Sequence, residues 1–187
     1  MVALVRCPRG CGPIPSPLER VPGPVILAAA RYATSPVGPY LELAVAEPVR
    51  LGARIGTCVT VIVVDSAASR DAGRTRWGLP KELGTLNWSA QDDSVTLGWE
   101  ERGVAVTGHP VGPGFPAVVP FRSLQPHADG PVRFGGLMRG WGRFSRVEVA
   151  VSPGDPLGAL AGRHAGVRVT RGAVTMGRAR PAGRAPE

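Results

Sequence analysis

Lys81 is the only lysine in a chain of 187 residues that carries 22 lysine and arginine side chains in total. An arginine guanidinium stays protonated in proteins, whereas a lysine amine can lose its proton when it is desolvated and then attack a carbonyl carbon. The product of that attack is a Schiff base. Chance offers another explanation, because enrichment in Ala, Gly, Pro and Arg depletes lysine. The residue type therefore makes Lys81 a candidate nucleophile. The competing interpretation is that a single lysine is present by chance and has no chemical role.

The neighbours of Lys81 are apolar and conformationally restricted. Trp77 lies four residues before it, and Pro80 precedes it directly. Proline fixes its own φ and biases the preceding residue towards an extended conformation, which predicts a rigid turn or the start of a strand. A rigid segment would hold a nucleophile in one geometry. We expect Trp77 to lie near the pocket.

Three segments in register resemble the acetoacetate decarboxylase family. Residues 73–84 (GRTRWGLPKELG) resemble the signature around the family's Schiff-base lysine. Residues 38–42 (GPYLE) resemble the segment in which an aromatic residue stands two positions before a glutamate that lines the active site. Between them, residues 59–65 (VTVIVVD) resemble the strand that leads into the signature. The order and spacing agree, so the resemblance covers residues 38–84 specifically.

This resemblance implies a fold, a reaction and a set of site residues. The fold is an acetoacetate decarboxylase-like β-barrel. The reaction is that of a carbon–carbon lyase, in which a Schiff-base-forming, decarboxylase-like enzyme acts on a small β-keto acid such as acetoacetate. No cofactor and no metal are expected. The implied catalytic residues are Lys81 and Glu42, and the implied substrate-binding residues are Tyr40, Arg74, Trp77 and Glu82.

Glu82 departs from the family pattern, because typical members carry a second lysine directly after the nucleophile. A glutamate supplies no cation to activate Lys81, so activation would depend mainly on desolvation. Two alternatives therefore stay open. One is another Schiff-base reaction, such as that of an aldolase or a dehydratase, and the other is a non-catalytic barrel that binds a small ligand.

Strand geometry predicts different orientations for Glu42 and Glu82. Adjacent side chains of an extended segment point to opposite faces, so Glu82 should point away from a cavity that receives Lys81, towards an arginine such as Arg74 or Arg76. Residues 40–49 alternate, which places Glu42 on one face with Tyr40. A solvated glutamate would be the default for Glu42 alone, and the resemblance is what directs it inward.

The formal net charge of +8 and the sequence pI of about 10.9 raise the question of a polyanionic partner. The arginines recur singly along the chain, and no helix-turn-helix, zinc-finger or aromatic RNA-binding pattern accompanies them. We therefore expect a solvated basic surface and no nucleic-acid partner. A small keto acid or other carbonyl compound is the expected partner, and homo-oligomerisation stays open.

Cysteine usage and hydropathy indicate the cellular compartment of the protein. Cys7, Cys11 and Cys58 are too few for a disulfide framework, and no second ligand pair follows Cys7 and Cys11 to complete a metal knuckle. No apolar run approaches the ~20 residues needed to span a bilayer, and no signal sequence is evident. The sequence predicts a cytoplasmic protein without a membrane partner.

The 26 glycines and 20 prolines imply many turns and no long helices. Short apolar runs separated by Gly, Pro and Asp are typical of a mainly β domain, or of an α+β domain with few short helices. We expect an irregular N-terminal arm (1–23), a single barrel domain (24–177) and a disordered tail (178–187). Strands are predicted at 24–32, 40–49, 58–64, 85–88, 94–99, 103–107, 117–121, 144–151 and 167–176, helices at 66–74 and 155–163, and a loop at 109–120.

Overall fold

A computed structural model describes residues 1–5 and 10–183, which form a mainly β fold with one α-helix. This confirms the predicted fold class. The helix is α1 (Ala67–Trp77), and short 3₁₀ turns lie at Glu100–Arg102 and Pro156–Leu160. The strands of the described residues are β1 (Val2–Val5), β2 (Glu19–Arg20), β3 (Val25–Tyr32), β4 (Tyr40–Leu51), β5 (Arg54–Val64), β6 (Lys81–Leu83), β7 (Leu86–Gln91), β8 (Ser94–Trp99), β9 (Val104–Gln125), β10 (Val132–Ala150), β11 (Gly162–Met176) and β12 (Arg180–Pro181).

The strand pairings form a closed circuit, which is compatible with the predicted barrel. In the order of pairing, the circuit runs β10, β11, β1, β3, β4, β5 and β9, and β9 pairs again with β10. All of these pairings are antiparallel except the contact between β5 and β9, where Thr57 is opposite Ser123. The β7–β8 hairpin continues the sheet from β9, and β6 adds to β5 in parallel. In the described part of the chain, no helix has the length and hydrophobicity needed to span a bilayer.

Alternating residues of these strands fill the main core. Leu27 of β3, Leu43 and Val45 of β4, and Leu97 of β8 are essentially inaccessible to solvent. Their neighbours along each strand face the opposite side of the sheet, because side chains alternate across a strand. On β4 that opposite side carries Tyr40 and Glu42. The alternation predicted for residues 40–49 is therefore present, with the apolar face turned to the core.

Glu47 is a buried carboxylate on the core-facing side of β4, with 0% of its surface exposed. Its Oε2 accepts hydrogen bonds from Arg20, with a distance of 2.8 Å to Nε. Its Oε1 accepts from the backbone N–H of Cys11 at 3.0 Å and from the hydroxyl of Thr60 at 3.3 Å. This carboxylate therefore joins the segment before β2 to the centre of the sheet.

We predict that Arg20→Met destabilises the protein markedly, because it removes the only cation paired with Glu47 among the described residues. Loss of one partner of a buried ion pair typically costs about 3–5 kcal/mol, and the partial exposure of Arg20 places the expected loss near the lower end. The free energy of unfolding in urea measures this. Arg50→Met is the matched control, because Arg50 pairs with Glu19 on the surface, where such pairs contribute about 0–1 kcal/mol. Equal losses in the two variants would contradict the prediction.

The predicted irregular arm is wrong in part. Val2–Val5 forms β1, which is paired on both sides, with β3 and with β11, and buries Ala3 and Val5. Four residues followed by a segment rich in Pro and Gly give little local periodicity, and the two neighbouring strands supply the pairing that orders them. Cys7 lies outside the described residues.

The predicted disordered tail also contains structure. Arg180–Pro181 pairs with β10, and Ala182 is buried in a smaller apolar cluster with Leu124 and Cys58. Residues 184–187 lie outside the described residues.

The predicted loop at 109–120 is wrong, because β9 runs through it. Between Gly108 and Ser123, β9 pairs with β10 on one side and with no other strand of the described structure. Backbone N–H groups on the unpaired edge of a strand do not have to donate to a neighbouring strand. Proline, which lacks this N–H group, is therefore tolerated there. The four prolines that indicated a loop occupy this edge, at Pro110, Pro113, Pro116 and Pro120.

Candidate active site

Helix α1 and strand β6 bring Lys81 to the sheet. The helix starts at the N-cap Ser66, whose side chain accepts a hydrogen bond from the backbone N–H of Ser69 at 3.3 Å. It ends at Gly78, which has the left-handed conformation (φ 66°) that glycine adopts without steric cost. The helix was predicted at 66–74, but it continues to Trp77, and Gly73 lies inside it. After Gly78 the chain enters β6, where Lys81 is opposite Ile62 of β5.

The amine of Lys81 is held between β4 and α1. The residue is only 5% exposed. Its Nζ donates hydrogen bonds to Glu42 Oε2 at 2.7 Å and to Ser69 Oγ at 2.9 Å. It also lies 5.1 Å from the centre of the Tyr40 ring, within the range of a cation–π contact. Residues of two elements, β4 and α1, therefore fix the position of one ammonium group.

The stem of Lys81 passes over Gly73 of the helix. A Cβ atom at Gly73 would lie 2.6 Å from Lys81 Cδ and 2.8 Å from Cε. Ser69 and Gly73 are four residues apart and hence share one face of α1. On that face, Ser69 provides a hydroxyl for the Lys81 amine, and Gly73 leaves space for the methylene groups of the Lys81 side chain.

Glu42 has a second partner, Tyr32, on the neighbouring strand. The Tyr32 hydroxyl donates to Glu42 Oε1 at 3.4 Å, a long contact, while Oε2 takes the amine. Tyr32 is directly opposite Tyr40 across β3 and β4, and their rings stack with centroids 4.6 Å apart. The two tyrosines therefore form one wall beside the carboxylate.

Both phenols are held in their neutral form. Burial, and then the charge of Glu42, raises the pKa of Tyr40 to about 12. The same two causes, in the same order, raise the pKa of Tyr32 well above its usual value. Each hydroxyl is therefore a proton donor at neutral pH that does not compete with Glu42 for the negative charge.

This arrangement suits covalent chemistry on a carbonyl group. An amine must be unprotonated to attack, and a carboxylate within hydrogen-bond distance of Nζ is placed to take the proton. The same carboxylate can stabilise a cationic iminium after attack. Because the ion pair is shielded from bulk water, its charges interact more strongly than they would on the surface.

Arg74 contacts the nucleophile segment through the backbone. Its Nε donates to the carbonyl oxygen of Lys81 at 2.7 Å, which links α1 to β6. It also borders a surface cleft of about 570 Å³ at the C-terminal end of the helix, together with Leu79 and His127. The predicted contact between Arg74 and a substrate thus stays a prediction, and the observed contact is structural.

Within the residues that the structure describes, no hydrogen bond joins Trp77 or Glu82 to the Lys81 amine. The Trp77 indole donates to the carbonyl oxygen of Gly177 at 2.8 Å and lies beside Phe134. Glu82 is exposed while Lys81 is buried, which agrees with the alternation expected along β6. Among the described residues, no ion pair joins Glu82 to Arg74 or Arg76, although such a pair was expected.

The two described cysteines, Cys11 and Cys58, are buried. Burial, and then the charge of Glu47, raises the pKa of the Cys58 thiol to about 11. Within residues 1–5 and 10–183, no group of three His, Cys, Asp or Glu side chains is placed to hold a metal ion.

Sequence reasoning missed Tyr32 and Ser69. A signal for Ser69 exists, because it precedes Gly73 by four residues and both fall in the one helix before the lysine. A signal for Tyr32 also exists: the turn at residues 33–39 connects two strands whose antiparallel pairing sets Tyr32 opposite Tyr40.

Comparison with known proteins identifies a family. The chain matches the family described as Acetoacetate decarboxylase (ADC) over residues 13–155. No curated protein sequence matches it significantly.

Several solved structures have a similar fold. The acetoacetate decarboxylase from Legionella pneumophila subsp. pneumophila str. Philadelphia 1 is similar with a TM-score of 0.59 and 17% identity, over 100% of this chain and 82% of that one. The enduracididine biosynthesis enzyme MppR complexed with pyruvate has a TM-score of 0.60 and 16% identity, over 95% and 83% of the two chains. An acetoacetate decarboxylase-like enzyme from Sphingomonas wittichii RW1 has a TM-score of 0.54 and 13% identity, over 89% and 80%. At these identities the likeness shows a shared fold.

Proposed function

The chain belongs to the acetoacetate decarboxylase family, and on that premise we propose that it is a Schiff-base-forming enzyme that decarboxylates a small β-keto acid. The observation that carries the proposal is the position of Lys81. The only lysine of the chain is buried, and its amine lies 2.7 Å from a carboxylate that can accept its proton. A lysine whose only role is to make the surface soluble would have its amine exposed to water.

The reaction would begin with transfer of a proton from the Lys81 ammonium to Glu42. The neutral amine then attacks the ketone carbon, a C–N bond forms, and the oxygen leaves as water to give an iminium. Cleavage of the bond to the carboxylate releases carbon dioxide, and its electron pair moves into the iminium to give an enamine. Protonation of the enamine carbon and hydrolysis release the ketone product and restore the amine.

Glu42 is assigned two effects in this sequence. It moves a proton at the amine, and its negative charge stabilises the iminium. The same charge would repel a substrate carboxylate and so favour its departure as carbon dioxide. Tyr40 covers the amine from one side and would contact the substrate. Homo-oligomerisation and a cytoplasmic location remain predictions from the sequence.

One observation favours a second candidate, a Schiff-base reaction without decarboxylation, such as an aldol or dehydration step. Glu82 is exposed on β6, so no second lysine lies beside the nucleophile to assist its activation. Release of carbon dioxide from acetoacetate separates the two candidates. A pyruvate adduct without such release would favour the second one.

We predict that borohydride traps one adduct on Lys81 when the protein is incubated with acetoacetate or pyruvate. Reduction converts the iminium to a stable secondary amine, which peptide mass spectrometry locates. Lys81→Arg should abolish the label while the far-ultraviolet circular dichroism stays unchanged, because arginine keeps the charge and cannot form a Schiff base. Labelling of the α-amino group alone would contradict the covalent mechanism and favour a ligand-binding barrel.

A further inference from the structure

We propose that the Ser69 hydroxyl is a further catalytic group, which orients the Lys81 amine and relays a proton from that amine to the substrate oxygen. This inference rests on the proposed function. It adds a second proton path at the amine, beside that of Glu42, and helix α1 supplies it.

The position of Ser69 carries the argument. The residue is 3% exposed, and its Oγ lies 2.9 Å from Lys81 Nζ. Its backbone N–H is already bonded to the side chain of the N-cap, Ser66. The Ser69 hydroxyl therefore takes no part in capping α1. A buried hydroxyl requires hydrogen-bond partners, and this one finds them at the reacting atom.

This contact fits the first chemical step. Attack of the neutral amine on a ketone gives an intermediate with a proton in excess on nitrogen and a negative charge on oxygen. The nitrogen gives its proton to Ser69, and Ser69 gives its own proton to that oxygen. The net result is one proton moved from nitrogen to oxygen, with the serine restored. The protonated Glu42 then supplies the proton with which the oxygen leaves as water.

The test compares two serines of the same helix. Ser69→Ala should lower the rate of borohydride-trapped adduct formation by ~10²-fold, the lower end of what a positioned proton donor contributes. Ser66→Ala removes the helix N-cap without touching the amine, so it should lower the melting temperature and leave the trapping rate close to that of the parent. Ser69→Thr keeps the hydroxyl and should restore most of the rate, and Ser69→Cys provides a variant of similar size with a poor hydrogen-bonding group.

A further readout distinguishes chemistry from structure. Acetylation of Lys81 by acetic anhydride, followed across pH by mass spectrometry, reports how available the amine is without any substrate. Ser69→Ala should be acetylated at a rate close to that of the parent. An equal loss of acetylation and of trapping would show that the serine only controls access to the amine, which would overturn the relay.

The outcomes separate this inference from the proposed function. If the parent is labelled and Ser69→Ala is labelled equally fast, the role of Ser69 is overturned and the Schiff-base function stands. If Ser66→Ala slows trapping as much as Ser69→Ala, the serine acts only through the helix, which also overturns the inference. If no carbonyl compound labels the parent, both proposals fall.

Discussion

Glu42→Gln is expected to lower turnover by ~10²- to 10⁴-fold, the range typical for loss of a positioned proton acceptor. Glutamine has nearly the same shape, so its amide oxygen can still accept a hydrogen bond from Lys81 Nζ. It cannot take the proton that the ammonium must lose before attack, and it cannot stabilise an iminium by charge. The substitution should therefore lower the rate of the reaction and leave the packing of β4 unchanged.

The measurement is the rate of carbon dioxide release, together with the rate of adduct trapping on Lys81. Trapping should fall in parallel with turnover, because both require the neutral amine. Melting curves of the parent and the variant show whether the fold is retained.

Glu82→Gln is the matched control, since the same substitution is made one residue after the nucleophile. Glu82 is exposed and has no ion-pair partner among the described residues, so the change should leave turnover nearly unaffected. A larger defect in Glu82→Gln than in Glu42→Gln would reverse the assignment. So would Glu82→Lys if it created acetoacetate decarboxylation in a protein that lacked it, because Glu82 would then have to face the amine.

The parts of the site that could be predicted from the sequence are those set by residue type and short-range geometry. Lys81 stands out because no other residue of its type exists in the chain. The outward direction of Glu82 follows from alternation between two adjacent residues of a strand. The inward direction of Glu42 could not be derived in this way, since alternation shows that Tyr40 and Glu42 share a face and leaves open what covers it.

The end of the helix is not set by the local sequence. Helix α1 continues past Gly73 to Trp77 and ends at the left-handed Gly78. Trp77 was expected near the pocket because it lies four residues before Lys81, and that expectation stays a prediction. Its indole bonds to the carbonyl oxygen of Gly177, 100 positions away, a contact that sequence proximity does not indicate.

Long-range pairing decides the remaining differences. The buried state of Glu47 requires Arg20 and the backbone of Cys11, which local periodicity cannot bring together. In the same way, β1 is ordered by β3 and β11, and the proline-rich part of β9 is ordered by β10. Each of these segments looks irregular by itself, because its hydrogen-bond partners come from elsewhere in the chain.

Gly73→Ala is expected to reduce Schiff-base formation by ~10²-fold and to lower the stability of the protein. The added methyl group would lie 2.6 Å from Cδ and 2.8 Å from Cε of Lys81, far closer than carbon atoms pack. The lysine stem has to rotate away, and its amine then leaves the position between Glu42 and Ser69. A displacement of about 1 Å at a reacting group can cost 10²-fold in rate.

The stability of this variant is the balance of two effects. Glycine in a helix interior is about 1 kcal/mol less favourable than alanine, so α1 itself gains from the substitution. Displacement of the Lys81 amine leaves the carboxylate of Glu42 without its cation, and loss of one partner of a buried ion pair typically costs about 3–5 kcal/mol. The melting temperature should therefore fall. A variant that is folded at the assay temperature by circular dichroism and yet traps far less adduct would show that Gly73 is needed to place the lysine.

Gly158→Ala serves as the matched control, because it makes the same change in a short 3₁₀ turn where a Cβ would meet no atom within 4 Å. It should leave the trapping rate unchanged. Equal trapping by Gly73→Ala and the parent would mean that the Lys81 stem can pass the helix by another route. In that case the contacts of Nζ with Glu42 and Ser69, and not the space above Gly73, would suffice to hold the amine in its reactive position.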